Sequence, residues 1–237
     1  PQGSATPALL TLASLACVRQ FAKDFLEQHQ QLHLLINNAG VMVPPYTRTE
    51  DGFELQLGTN HFGHFALTAQ LFPCLRETQD ARVINVASVA HKAGNLDLDD
   101  LDWEKRKYRP WRAYGDSKIA NLYFTHELAR KLKAANLPRI AAAAHPGWTA
   151  TNLQKNAGIF DFMNPFLAMP TLKGALPILR AATDPQVQSG EYYGPKGFLE
   201  LRGYPEKTTA NKRSHNPQIA QKLWTISEER TGQSFAT

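Results

Sequence analysis

Tyr114 and Lys118 stand four residues apart in the stretch "YGDSK". On a helix, that spacing puts both side chains on one face, one turn apart. A free phenol has a pKa of about 10 and is a poor base at neutral pH. A neighbouring ammonium favours the phenolate and lowers that value. The phenol can then exchange a proton with an alcohol or carbonyl oxygen. A serine hydroxyl on the same oxygen would hold the substrate and stabilise developing charge. Ser88, which closes "NVAS", is the candidate. No amino-acid side chain carries hydride, so this chemistry needs a nicotinamide cofactor. The same lysine could hold the cofactor ribose. Taken alone, however, Tyr114 and Lys118 read as an ordinary helix-surface pair, and what decides is the company the rest of the chain supplies.

Among the elements that must position them, "LHLLI" (Leu32 to Ile36) is a short apolar run closed by "NNAG", which predicts a buried strand. The periodic stretch from Gly52 to Glu77 predicts a helix despite Gly58 and Gly63. "ARVINVAS" (Ala81 to Ser88) is β-branched in its middle and predicts the next strand. A polar insert follows, then a helix from about Arg112 to Asn136, with Pro138 beyond its end. "RIAAAAHPG" predicts another strand and turn. "LKGALPILRAATD" predicts a helix interrupted by Pro177, and "NPQIAQKLWTISEERTG" a closing amphipathic helix carrying Ile219, Leu223 and Ile226. Strands alternating with helices predict βα units and a mostly parallel sheet. Such sheets bind ligands beyond the carboxyl ends of their strands. "NNAG", Ala87–Ser88 and His145–Gly147 all follow predicted strands, so they should gather on one edge, within reach of the helix carrying Tyr114.

The 237 residues are 43% hydrophobic, enough for one sizeable core and a single domain. A net charge of +5, spread over 26 basic and 21 acidic residues, forms no basic stripe, and nucleic-acid binding is not expected. Cys17 and Cys74 have no metal-ligand spacing and read as isolated buried thiols, which fits a reducing compartment. His61 and His64 in "NHFGH" lack a matching ligand set, so packed or surface histidines are expected and no metal. His91 and His145 flank the expected active edge. No run reaches the roughly 18 apolar residues that would span a bilayer. The N-terminus lacks the basic region of a signal peptide. A cytoplasmic location is expected. The aromatic, Met-rich stretch around Phe160, Phe162, Met163, Phe166 and Met169 reads as plain core or as a substrate lid over about 154–172. A lid of that kind leaves membrane-surface contact open.

Together these motifs resemble the short-chain dehydrogenase/reductase family. Tyr114-Gly-Asp-Ser-Lys118 matches its YxxxK motif, Asn37 to Gly40 its NNAG motif, and Pro146-Gly147-Trp148-Thr149-Ala150-Thr151 its PGxxxT segment. "DGFELQLGTNHFGHF", "AYGDSKIANLYFTHELARKL" and "QKLWTISEERTG" are similar to the branch with the retinol dehydrogenases and the WW-domain-containing oxidoreductase. The resemblance implies a Rossmann-like, doubly wound parallel α/β sheet, without the first βαβ portion in this chain. It implies Tyr114 as acid/base, Lys118 as its pKa-setting and ribose-binding neighbour, Ser88 as substrate-orienting hydroxyl, and Asn60 as keeper of a water in a proton relay. Asn38, Ala39 and Gly40 would line the adenosine and ribose side. Pro146, Gly147, Thr149 and Thr151 would hold the carboxamide and pyrophosphate side. The implied cofactor is NADP or NAD, with NADP slightly preferred. The implied activity is hydride transfer to or from an alcohol or carbonyl substrate of lipophilic character. A homo-oligomer would be in keeping with the family.

Two departures accompany the resemblance. The family's TGxxxGxG turn, whose backbone N–H groups receive the pyrophosphate, has no counterpart here. The family pattern would need roughly 60 to 70 further residues before Leu10. Thr11 stands where the family has an Asp near the adenine. Three expectations follow: further chain precedes Pro1, or the domain is truncated with impaired cofactor binding, or a rearranged N-terminus or partner completes the site. The second makes a catalytically weak or inactive binding or scaffold protein the alternative to an enzyme.

Overall fold

The computed structural model describes residues 3–148 and 169–235. Helix α1 (Leu15–Gln28) is followed by strand β1 (Leu34–Asn37), a single turn α2 (Leu55–Leu57), a π-helical turn (Gly58–Phe62) and α3 (Gly63–Glu77). Then come β2 (Arg82–Val86), a 3-10 turn (Val89–Ala93), the long helix α4 (Pro110–Ala134) and β3 (Ile140–Ala144). Helix α5 (Thr171–Thr183), β4 (Tyr192–Pro195), β5 (Pro205–Lys207) and α6 (Pro217–Thr231) complete the described chain. The five strands lie in the order β1-β2-β3-β4-β5. The first three pairings are parallel and β4–β5 is antiparallel. This is the expected Rossmann-like sheet, with β1 at one edge.

The strands alternate as a doubly covered sheet requires. Val83 and Ala141 face the large core formed with α1, α3, α4 and α6, while Ile84, Ala142 and Ala144 face α5 through Ala181 and Ala182. The all-alanine interior of β3 is fully buried, so helices approach it closely from both sides. On the α4 side, Phe65 packs against Phe124, Trp224 and Phe235 with ring centroids 5.1 to 5.3 Å apart. Burying each such ring contributes on the order of 2 kcal/mol. Among the described residues no helix is long and apolar enough to cross a membrane.

Local boundaries differ from the sequence expectation where a cap or a partner decides them. No strand forms at residues 3–11, and among the described residues β1 at the sheet edge pairs with β2 alone. Instead Ser14 caps α1, and Leu15 N–H donates to Asp51 Oδ2 at 2.8 Å. The helix predicted from Gly52 starts at Leu55, because Glu54 caps it by accepting from Leu57 N–H at 2.7 Å. Helix α4 starts at Pro110, since proline lacks the N–H that the first helical position leaves unused anyway. Pro177 does not interrupt α5, which runs through it with Gly174, Pro177, Ala181 and Ala182 buried; proline removes one helical hydrogen bond, and the packed face holds the rest. Cys74 is buried but Cys17 only half-buried; both are free.

Candidate active site

The carboxyl ends of β1, β2 and β3 do gather on one side of the sheet, because all three run parallel. At the end of β1, Asn38 and Ala39 are exposed and Gly40 is half-buried. A methyl group added to Gly40 would lie 2.8 Å from Asn60 Oδ1 and 3.8 Å from Lys118 Nζ. Glycine there lets the chain press against Asn60, with Lys118 at ordinary contact distance. Asn60 sits in the π turn. Its Oδ1 accepts from Val41 N–H at 2.8 Å, and its Nδ2 donates to Val41 O and to Ser117 Oγ, each at 2.9 Å. Asn60 thus ties the β1 loop to α4. Ser117 in turn donates to Tyr114 O at 2.8 Å.

Helix α4 carries Tyr114 and Lys118, 5% and 4% exposed. Lys118 Nζ donates to Val86 O at 3.1 Å and lies 5.6 Å from the Tyr114 ring centroid. Ser88, just past β2, stands close enough to the Tyr114 phenol to act on its pKa. The serine Oγ accepts from Ala90 N–H at 3.2 Å. Asn60 is thus tied through Ser117 to the helix that carries Tyr114 and Lys118, and the lysine lies over the tyrosine ring. The electrostatics differ from the sequence expectation. Burial pushes the Tyr114 phenol up to about 12, opposed by nearby Ser88. Burial also brings Lys118 down to about 8. Both charged forms lose water. The ammonium that was to stabilise the phenolate is turned toward the Val86 carbonyl.

Pro146 and Gly147 follow β3. Gly147 has φ +69°, and a methyl group there would meet Leu201 O at 2.6 Å, so this turn also requires glycine. Thr149, Thr151 and most of the expected lid lie outside the described residues. Met169, at its described end, is buried. His61 and His64 are packed histidines: His61 Nε2 lies 2.9 Å from Ser227 Oγ and His64 Nδ1 lies 3.0 Å from Asn60 O. Burial lowers them to about 3 and about 4. Among the described residues no group of three or more His, Cys, Asp or Glu could hold a metal ion.

Residues 2–159 match the family described as short chain dehydrogenase. The chain belongs to that family. Its curated relatives include mouse retinol dehydrogenase 12, 38% identical over 229 residues, covering 94% of this chain and 68% of the relative. Among solved structures it resembles an uncharacterized protein from Mycobacterium Paratuberculosis, at 40% identity and a TM-score of 0.80, over 96% of this chain and 76% of that one. The NADP complex of Pseudomonas aeruginosa RhlG matches in fold, with a TM-score of 0.56 at 24% identity, over 77% of this chain and 72% of that one.

Family membership makes the strand-end cleft the place to look for a nicotinamide cofactor, and the residues present fit one end of it. Gly40 leaves room beside a buried lysine amine, which a side chain would fill. No TGxxxGxG turn is present in these 237 residues to receive a pyrophosphate.

Three contributing residues went unread in the sequence. Gly94 and Gly115 let the turn after Ser88 lie directly on α4: a methyl group on Gly115 would be 2.9 Å from Ala90 O, and one on Gly94 2.5 Å from Gly115 O. Gly115 is the second residue of "YGDSK", a helix-interior glycine whose propensity cost was the available signal. Ser117, from the same five residues, links Asn60 to the Tyr114 backbone and had no signal at all.

Proposed function

We propose that the chain interconverts an alcohol and a carbonyl with a nicotinamide dinucleotide, NADP in preference to NAD, on a lipophilic substrate. The observation that carries this reading is the buried Tyr114 phenol beside the end of β2, with Lys118 one turn along, 5.6 Å from its ring and fixed by Val86 O. When bound, the nicotinamide supplies or accepts the hydride. Tyr114 exchanges the proton with the substrate oxygen, and Ser88 orients that oxygen. Lys118 and Gly40 would meet the ribose. Asn60, pinned to Val41 and Ser117, holds the loop of Gly40 against α4. A phenol held near 12 stays protonated at neutral pH. Similarity to retinol dehydrogenase 12 supports a lipophilic substrate.

The test is oxidation of NADPH by a panel of lipophilic aldehydes and ketones. Tyr114→Phe should lower kcat by about a thousandfold; a variant with full activity would defeat the assigned mechanism. A second reading, a binder with weak or no catalysis, is favoured by the lack of a TGxxxGxG turn in these residues and by an exposed Thr11 where the resemblance implies an Asp. Titration with NADPH and NADH separates the two readings, since tight saturable binding argues against the second.

A further inference from the structure

His91 is fully buried three residues after Ser88 and takes no part in the chemistry above. Its Nε2 lies 3.1 Å from the backbone N of Asn211. An amide N–H can only donate, so Nε2 is the acceptor and a neutral ring carries its proton on Nδ1. That Nδ1 lies 2.6 Å from Ser88 O, which also accepts from His91 N–H at 3.0 Å. The serine carbonyl is therefore gripped twice by one residue. The grip continues outward. Asn211 Nδ2 donates to Lys92 O at 3.1 Å, and Arg213 donates to Gly94 O at 3.2 Å. Ser214 O, next along, lies 2.8 Å from His126 Nδ1 on α4. Segment 211–214 thus clamps the Ser88 turn onto the helix that carries Tyr114.

We propose that His91 is the positioning residue for Ser88: its Nδ1–H fixes the serine carbonyl while its Nε2 anchors the turn to Asn211. The consequence is that the backbone of Ser88, the expected substrate-orienting serine, is held by a contact bridging distant parts of the chain. Neutrality is built in. Burial lowers the ring to about 4. The groups that bear on it are His145, Lys92 and Glu200, together with Tyr192, whose ring stands edge-on at 5.4 Å and whose hydroxyl oxygen lies 3.5 Å from Nδ1. The catalytic consequence rests on the oxidoreductase reading; the geometric one does not.

The two ring nitrogens can be tested separately. Asparagine places an amide N–H near the Nδ1 position, and glutamine places its amide near Nε2. His91→Asn should keep the grip on Ser88 O, and His91→Gln should lose it. With NADPH and decanal, His91→Gln should lose about tenfold or more in kcat with KM for NADPH little changed, while His91→Asn recovers most of the loss. Amide exchange at Ala90, whose N–H rests on Ser88 Oγ, should speed up roughly fivefold in His91→Gln relative to His91→Asn, with the Ile84 amide as reference. Equal losses in both variants, or full kcat in His91→Gln, would overturn the proposal. Should the wild-type protein prove inactive, the activity reading fails while the exchange comparison still decides. Should His91→Gln not fold, nitrogen NMR of the unmodified protein decides instead. A proton on Nδ1 from pH 5 to pH 8 is expected, and a proton on Nε2 would overturn the assignment.

Discussion

Replacing Gly115 by alanine separates helix propensity from site geometry. The residue lies inside α4 with ordinary helical backbone, so alanine should stabilise the helix by about 1 kcal/mol. Its methyl group, however, would lie 2.9 Å from Ala90 O and 3.2 Å from Gly94 N, both backbone atoms. Reaching an ordinary carbon–oxygen contact of ~3.4 Å requires the 89–94 turn to retreat by about half an ångström. Overpacking of this kind costs roughly 1 to 3 kcal/mol. The net effect on folding is a loss of about 0 to 2 kcal/mol, a Tm drop of at most about 8 °C for a chain of this size. Ser88 moves with the turn, away from Tyr114. A misplacement of about 1 Å can cost a hundredfold in rate, so about half of that should cost roughly tenfold in kcat. Thermal unfolding and NADPH oxidation with a lipophilic aldehyde, measured on the same preparation, give both numbers. Gly94→Ala, which would meet Gly115 O at 2.5 Å and Ile119 Cγ2 at 2.8 Å, should do worse on both. A Gly115→Ala protein with raised Tm and unchanged kcat would refute the claim that this contact sets the serine.

Gly40→Ala should press on Asn60 Oδ1 at 2.8 Å and raise the NADPH dissociation constant roughly tenfold, equivalent to about 1.4 kcal/mol; calorimetric titration checks it, and unchanged affinity would remove Gly40 from the cofactor site. Stability should be acid-sensitive well above the carboxylate range. His61, His64 and His91 fall to about 3, 4 and 4 in the fold from 6.5, so below pH 6.5 the unfolded chain takes up protons that the folded protein refuses. Their contribution is complete above pH 6.5 and is lost at about 1 kcal/mol per pH unit for each histidine as pH falls toward those values. Denaturant titrations showing constant stability from pH 6.5 to 4.5 would contradict this.

Much of the site is legible in the order of the residues. The alternation of short apolar runs with long periodic stretches is a local property of the chain, and it specifies parallel strands with their turns on one side. That alone brings "NNAG", Ser88 and the "HPG" turn to a common edge. The Tyr114–Lys118 spacing is likewise local, since four residues on a helix make one face whatever surrounds it. The resemblance of the motifs then named their chemistry. Element ends were less legible, because caps such as Ser14 and Glu54 are chosen by geometry that periodicity does not encode.

What the fold alone decided is how these groups are held and charged. Asn60 meets Ser117 across a sequence separation of 57, and Asn211 meets His91 across 120; no local pattern announces either contact. Gly115 looked like a weak point in a helix, yet it is the surface on which the Ser88 turn rests. The phenol shows the limit most clearly. Sequence spacing implies a lowered pKa, because an ammonium sits one turn away. Tertiary packing raises it instead, because burial removes water from the phenolate while Val86 O holds the ammonium. Residue spacing fixes which groups can meet. Their desolvation and orientation, and hence the sign of the electrostatics, are properties of the packed site.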